Sequence, residues 1–175
     1  MSKNSFVAIG LVNPKSPTNV GGIMRAVGCY SADAVYFTGK RYELAASNRT
    51  AQYNTDTKRA SSSIPLTKVD SLIEAIEPDV KVVCVDLVEG AIPLPEFEHP
   101  EKAIYIFGPE DGTISQQVVN SADAVVYVPT IGCMNLAASV NVLLYDRLAK
   151  SASIASDELI RSSRDTNNRV RVKQG

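Results

Sequence analysis

Three short stretches of this chain gather residue types that can hold a polar ligand. The first is Asn19-Val20-Gly21-Gly22-Ile23-Met24-Arg25 and the second Phe107-Gly108-Pro109-Glu110-Asp111-Gly112. The third is Val128-Pro129-Thr130 with Gly132-Cys133-Met134-Asn135-Leu136-Ala137. Asn19 and Asn135 each bring a carboxamide with donor and acceptor, Glu110 a carboxylate, and Arg25 a guanidinium that stays charged. Gly108 lets main chain approach a ligand, and Gly112 permits a positive φ. Such groups can orient a polar substrate and stabilise developing negative charge. Taken singly, each stretch also reads as an ordinary turn with solvent-facing polar groups. None matches GxGxxG or GxxxxGK[ST], so neither a dinucleotide site nor a P-loop is implied.

The elements that must carry these stretches alternate between strand and helix. Apolar runs predict strands at Phe6 to Asn13, Ala34 to Gly39, Val80 to Leu87, Ala103 to Phe107 and Ala124 to Pro129. Helices are predicted after the Thr18-Asn19 cap, after Asp70 (Ser71 to Ile76), from Ser115, and from about Met134 to Lys150. Several strands are apolar on both faces, as a parallel sheet covered by helices on either side requires. The class is therefore α/β, with ligands expected outside the carboxyl ends of the strands, where the second and third stretches lie. The long final helix is apolar nearly all round, so either it is central to the fold or part of it meets a second copy. Lys40 to Pro65 is polar and periodic in neither sense, and loops of that length are usually functional.

With 175 residues, 45% hydrophobic and 21% charged, the chain can bury a core of its own. No apolar run reaches a membrane span and the N-terminus lacks a secretory layout, so a cytoplasmic protein with no membrane partner is expected. Cys29, Cys84 and Cys133 form no CxxC pair, so neither a disulfide framework nor a metal site is implied. The net charge of −1 hides segregation: Asp70 to Asp111 holds eleven acids against two lysines. Lys40 to Arg59 is net +3 and Arg161 to Lys173 net +4. Such runs read either as solvated faces or as basic parts that meet a polyanion. Residues 1–150 read as one domain and 151–175 as a basic tail, with a short helix at Ser156 to Ser163.

Together and in this order, the three stretches resemble the three motifs of the SPOUT class of RNA methyltransferases, specifically its SpoU-like (TrmH-like) ribose 2'-O-methyltransferase branch. The resemblance covers about Phe6 to Lys150. It implies a mostly parallel sheet with a deep C-terminal trefoil knot, a homodimer using the last helix, and S-adenosyl-L-methionine as cofactor. By the same resemblance Leu87, Gly108, Val128, Cys133 and Leu136 contact the cofactor, and Arg25, with Asn19, Glu110 and Asn135, forms the catalytic set. A guanidinium is a poor base, so Arg25 reads as either a base or an electrostatic clamp, and Glu110 as either a site acid or a brace for the backbone. His99 reads as a loop residue. Many members carry Ser-Leu-Asn-Val-Ser where this chain has Cys133-Met134-Asn135-Leu136-Ala137, so two hydroxyls are missing.

An RNA partner, tRNA or rRNA, would be held by phosphate contacts from Arg41, Arg49, Lys58 and Arg59 in the polar segment and from Arg161, Arg164, Arg169 and Arg171 in the tail. Two other functions remain open on the sequence. One is a non-catalytic RNA-binding dimer on the same scaffold, motivated by the missing hydroxyls. The other is a small-molecule α/β enzyme unrelated to RNA.

Overall fold

The computed structural model describes residues 4–48, 62–152 and 155–173. Its strands are β1 (Phe6–Leu11), β2 (Ala34–Phe37), β3 (Leu66–Lys68), β4 (Lys81–Val85), β5 (Ile92–Pro93), β6 (Lys102–Phe107) and β7 (Ala124–Tyr127). Its helices are α1 (Pro17–Cys29), α2 (Arg41–Ser47), α3 (Gln116–Asn120), α4 (Leu136–Lys150) and α5 (Asp157–Ser163). The strands form one sheet in the order β3-β2-β1-β6-β4-β7-β5, and every pairing is parallel.

Alternation along the central strands divides the core in two, as the period of two demands. Ile9, Leu11, Val83, Val85, Tyr105 and Phe107 face one side with Val20, Ile23 and Val27 of α1 and Val140, Leu143 and Leu144 of α4. Ala8, Val82, Cys84, Ile104 and Ile106 face the other, against Leu72 and Ile114, with Val118 and Val119 of α3 alongside. Burial pushes the Cys84 thiol up to about 11, with the Asp86 carboxylate adding to the shift, so this cysteine is an inert filler.

The departures from the sequence reading have local causes. Helix α1 starts at Pro17, not after Asn19: Ser16 is its N-cap, its hydroxyl accepting from the Asn19 amide at 3.3 Å. Proline at N1 loses nothing by lacking an N–H, so Ser16-Pro17 is the stronger start. The polar segment opens as helix α2, which buries no residue and so leaves no amphipathic trace. Ser71 to Ile76 forms turns, with Ser71 Oγ accepting from the Glu74 amide at 3.3 Å, rather than a helix. Gly112 does not have a positive φ; it closes a turn by donating to the Pro109 carbonyl at 3.2 Å.

The C-terminal half of α4 is fastened to the sheet by a polar network around Tyr105, whose side chain is fully buried. Arg147 donates to the Tyr105 hydroxyl at 2.8 Å and to the Pro100 carbonyl at 2.6 Å. His99 lies 2.7 Å from that hydroxyl and 2.8 Å from Asp146, which Lys150 also meets at 2.7 Å. A neutral imidazole donating to Asp146 and accepting from Tyr105 satisfies every partner. Burial holds the His99 imidazole below its ordinary value despite the nearby Asp146 carboxylate. His99 is thus a structural loop residue.

Candidate functional site

β4, β6 and β7 end side by side, with Val85 in register with Phe107 on one side and Val126 on the other. The chain leaving these three ends, with the start of α1, encloses a cleft of about 430 Å³. This is the strand-end position at which parallel sheets present loops to ligands.

Leu87, Gly108, Val128, Cys133 and Leu136 all line the cleft, as do Asn19, Glu110 and Asn135. Arg25 does not line it. Its side chain is exposed on α1, with no hydrogen bond or ion pair among the described residues. It lies three residues beyond Gly22 and so on the same side of the helix. A Cβ on Gly22 would sit 3.2 Å from the Ala137 Cβ; Arg25 therefore borders the seam where α1 meets α4.

The polar side chains are joined in one chain of hydrogen bonds across all three loops. Glu110 accepts from the Lys15 amide at 2.8 Å, the Ser16 amide at 3.0 Å and the Asn19 carboxamide at 3.2 Å. Asn19 Oδ1 in turn accepts from Asn135 Nδ2 at 2.9 Å. Asn135 caps α4, its Oδ1 taking the amides of Ala137 and Ala138 at 2.9 and 3.2 Å. Burial alone would raise the Glu110 carboxyl, but its own amide, those of Lys15 and Ser16 and the Asn19 carboxamide together hold it below the ordinary carboxylate value. A carboxylate so engaged is a brace and a weak base.

Gly108, in the cleft lining, is also favoured by packing: a Cβ there would lie 3.1 Å from the Ile114 amide nitrogen. The returning chain is fixed by Asp86, which sequence reasoning passed over. Its Oδ2 accepts the Ile114 amide at 3.0 Å and its Oδ1 the Leu87 amide at 2.8 Å, tying the exit of β4 to the loop after β6. The only signal was its place at the end of a buried strand. In the third loop Thr130 donates to the Gly132 carbonyl at 2.7 Å, bending the chain past Cys133.

Of the cations assigned to phosphate, Arg41 donates to Asp111 and to the Asn13 carbonyl beside the cleft. Arg49, Lys58 and Arg59 lie outside the described residues. Arg161, Arg164, Arg169 and Arg171 come together around a separate hollow of about 460 Å³ in the tail, with Asp165 the one acid on its lining. Arg161 also pairs with Glu158 at 3.1 Å. Among the described residues no cluster of three or more His, Cys, Asp or Glu is placed to hold a metal ion, and no helix is long and apolar enough to cross a membrane.

The fold has solved counterparts. The AdoMet complex of the SpoU methyltransferase AviRb from Streptomyces viridochromogenes superposes with a TM-score of 0.64 at 20% identity, over 85% of this chain and 61% of that one. The TrmH/SpoU tRNA modifying enzyme of A. aeolicus gives 0.66 at 17% identity, over 90% and 85%. A structure described as giving insights into the 2-OH methylation of C/U34 on tRNA gives 0.66 at 20%, over 85% and 97%. The chain thus spans about three fifths of the AviRb length. No curated protein matches its sequence. The model of the SpoU rRNA Methylase family matches residues 7–145, a span holding every loop of the cleft, and the chain belongs to that family.

Proposed function

We propose that the protein is an RNA methyltransferase that uses S-adenosyl-L-methionine to methylate a ribose 2'-hydroxyl, with tRNA as the first substrate to test and rRNA the second. The observation that carries this reading is the hydrogen-bonded chain Glu110–Asn19–Asn135, which closes three loops around one cleft. The cleft suits the cofactor: about 430 Å³ lies within the range of small-molecule sites, and Leu87, Val128 and Leu136 offer apolar walls beside polar loops. Membership of the family and the AdoMet complex of AviRb support the same assignment.

Bound there, S-adenosylmethionine supplies an electrophilic methyl group on a sulfonium centre, so no metal is called for. Leu87, Val128 and Leu136 hold the apolar parts of the ligand, and Cys133 faces it where relatives carry serine. Asn19 and Asn135 fix the mouth of the cleft against α1 and α4. Glu110, already taken by three donors, keeps that mouth in shape and leaves the substrate proton to another group. Arg25 stabilises the developing alkoxide or clamps a phosphate, a role suited to a guanidinium.

A second copy of the chain covers the outer side of α4, where Val142, Tyr145 and Leu148 are exposed at 36%, 62% and 42%. Arg25, bordering the same seam, then lies next to the junction of the two copies. The trefoil knot belongs to this reading as the family's way of building the cleft. The tail arginines, four around one acid, contact RNA phosphates.

The test is transfer of labelled methyl from S-adenosylmethionine to total RNA from a strain deleted for the gene. Wild type should label RNA, and the label should resist alkaline cleavage at its 3' side, because a methylated 2'-oxygen cannot attack the neighbouring phosphate. Arg25→Ala should lose transfer while still binding S-adenosylhomocysteine in calorimetry. RNA binding without transfer by wild type would instead establish the non-catalytic binder.

A further inference from the structure

Arg41 stands on the first turn of α2, where its charge invites a phosphate contact, yet its guanidinium is already occupied. Nε and Nη2 both donate to the Asn13 carbonyl, at 3.2 and 2.7 Å, and Nη1 lies 2.9 Å from each oxygen of Asp111. Those four contacts take most of the five N–H groups that a guanidinium has. Its charge is met as well by the Asp111 carboxylate, whose carboxyl is held below its ordinary value by the hydrogen bond from Arg41, against the opposing effect of desolvation.

What Arg41 grips is a strained corner, otherwise held by the Asn13 amide donating to the Thr38 hydroxyl at 3.1 Å and the Val12 amide donating to the Phe107 carbonyl at 3.0 Å. Asn13 has a φ of 42°, in the left-handed region, and lies two residues past the end of β1. Its side-chain Oδ1 is buried without a hydrogen-bond partner among the described residues. It is pressed against Gly39, where an added Cβ would come within 2.1 Å of that oxygen. A strained residue with an unsatisfied polar atom persists only when its surroundings over-determine it.

The corner leads straight into the cleft. Two residues of chain, Pro14 and Lys15, separate the Asn13 carbonyl from the Ser16 amide, and Glu110, next to Asp111 in sequence, holds the amides of Lys15 and Ser16. Adjacent acids of one loop therefore seize the β1–α1 loop on either side of Pro14: Glu110 directly, Asp111 chiefly through Arg41, with a longer and exposed contact of 3.8 Å to the Lys15 ammonium. We infer that Arg41 is a positioning residue, whose fork on Asn13 and Asp111 sets Glu110, and through it Asn19 and Asn135, for binding in the cleft. The link to methyl transfer rests on the function proposed above; the clamp itself does not.

The two are tested by separate readouts. Amide hydrogen exchange at Lys15 and Ser16 needs no cofactor, and Arg41→Ala should speed it about tenfold, the loss of one charge-assisted contact. S-adenosylhomocysteine affinity should fall by about the same factor. Arg41→Lys decides between fork and charge, because lysine keeps the charge but cannot span both partners. It should behave like the alanine variant in both measurements while leaving the salt dependence of RNA binding unchanged. Asp111→Ala should speed the same amides, and the double variant no more than either single change. If Arg41→Lys matches wild type in exchange and affinity, the clamp is overturned. It is equally overturned if Arg41→Ala leaves exchange unaltered and lowers the salt slope of RNA binding by about one. Failure of wild type to bind S-adenosylhomocysteine would sink the methyltransferase reading, while exchange would still decide the clamp.

Discussion

Glu110 shows how one side chain can organise a site, since it holds the Lys15 and Ser16 amides and the Asn19 carboxamide at once. Gln at this position keeps the shape but replaces one of the two acceptor oxygens, which take the Lys15 and Ser16 amides separately, with a donor. Because the group is partly open to water, the expected loss is about 1 kcal/mol in urea unfolding, the low end for a charge-assisted hydrogen bond. The pH dependence follows from the folded carboxyl lying below its ordinary value of 4.5. The unfolded chain binds the proton first as pH falls, so the stabilisation is complete above about pH 4.5 and disappears as pH drops toward the folded value. The gap between wild type and Glu110→Gln should close over that range; a gap that stays constant would show that the charge does not matter. Glu110, Asn19 and Asn135 were visible in the sequence as polar groups near glycine or at a helix start, but it was the resemblance to three ordered family motifs that joined them into one site. Asp86 was not legible, since a single acid after an apolar strand has the same signature as a solvated one. Gly108 was recognised as a cleft residue, but not for its second constraint, the close approach of the returning chain at Ile114.

Among the elements, the closeness of α1 and α4 matters most, because Asn135 caps the one and bonds Asn19 in the other. Gly22→Ala sets two effects against each other. Alanine gains about 1 kcal/mol of helix propensity, whereas a Cβ 3.2 Å from Ala137 forces α4 outward at a cost of roughly 1–3 kcal/mol. The thermal midpoint should therefore move little, while α4 carries Asn135 away from Asn19 and S-adenosylhomocysteine affinity falls. Adding Ala137→Gly returns the space and should restore affinity; a double variant as weak as Gly22→Ala would deny the coupling. Legibility at this scale tracks burial. β1, β4 and β6 are apolar on both faces and were read directly. β3 and β5, of three and two residues at the sheet margins, are too short for any period. Helix α2 buries nothing, so neither periodicity nor a capping side chain announced it.

For the whole molecule, the strand order was beyond the sequence, because β6 lies between β1 and β4 through pairings that no local pattern encodes. That order is what sets β4, β6 and β7 side by side and makes one cleft from three distant loops. The segregated charge was legible but its meaning differs by region. In the acidic middle, Asp86, Glu110 and Asp111 are occupied in holding loops and Asp79 pairs with Lys102 at 2.6 Å. The tail stands apart: α5 is exposed throughout, as are residues 165–173. Its Arg161, Arg164, Arg169, Arg171 and Lys173 thus contribute little to the fold and remain available to a polyanion. Ending the chain at Lys150 should leave the thermal midpoint and S-adenosylhomocysteine affinity near wild type. RNA affinity should drop, and the slope of its logarithm against log salt should flatten by about 2–3, at roughly 0.7 per neutralised phosphate on single strands. Alanine at the four arginines, with the chain left at full length, separates charge from mere contact by reproducing most of that flattening. Identical RNA affinity in full-length and shortened chains at every salt concentration would move the RNA site away from the tail.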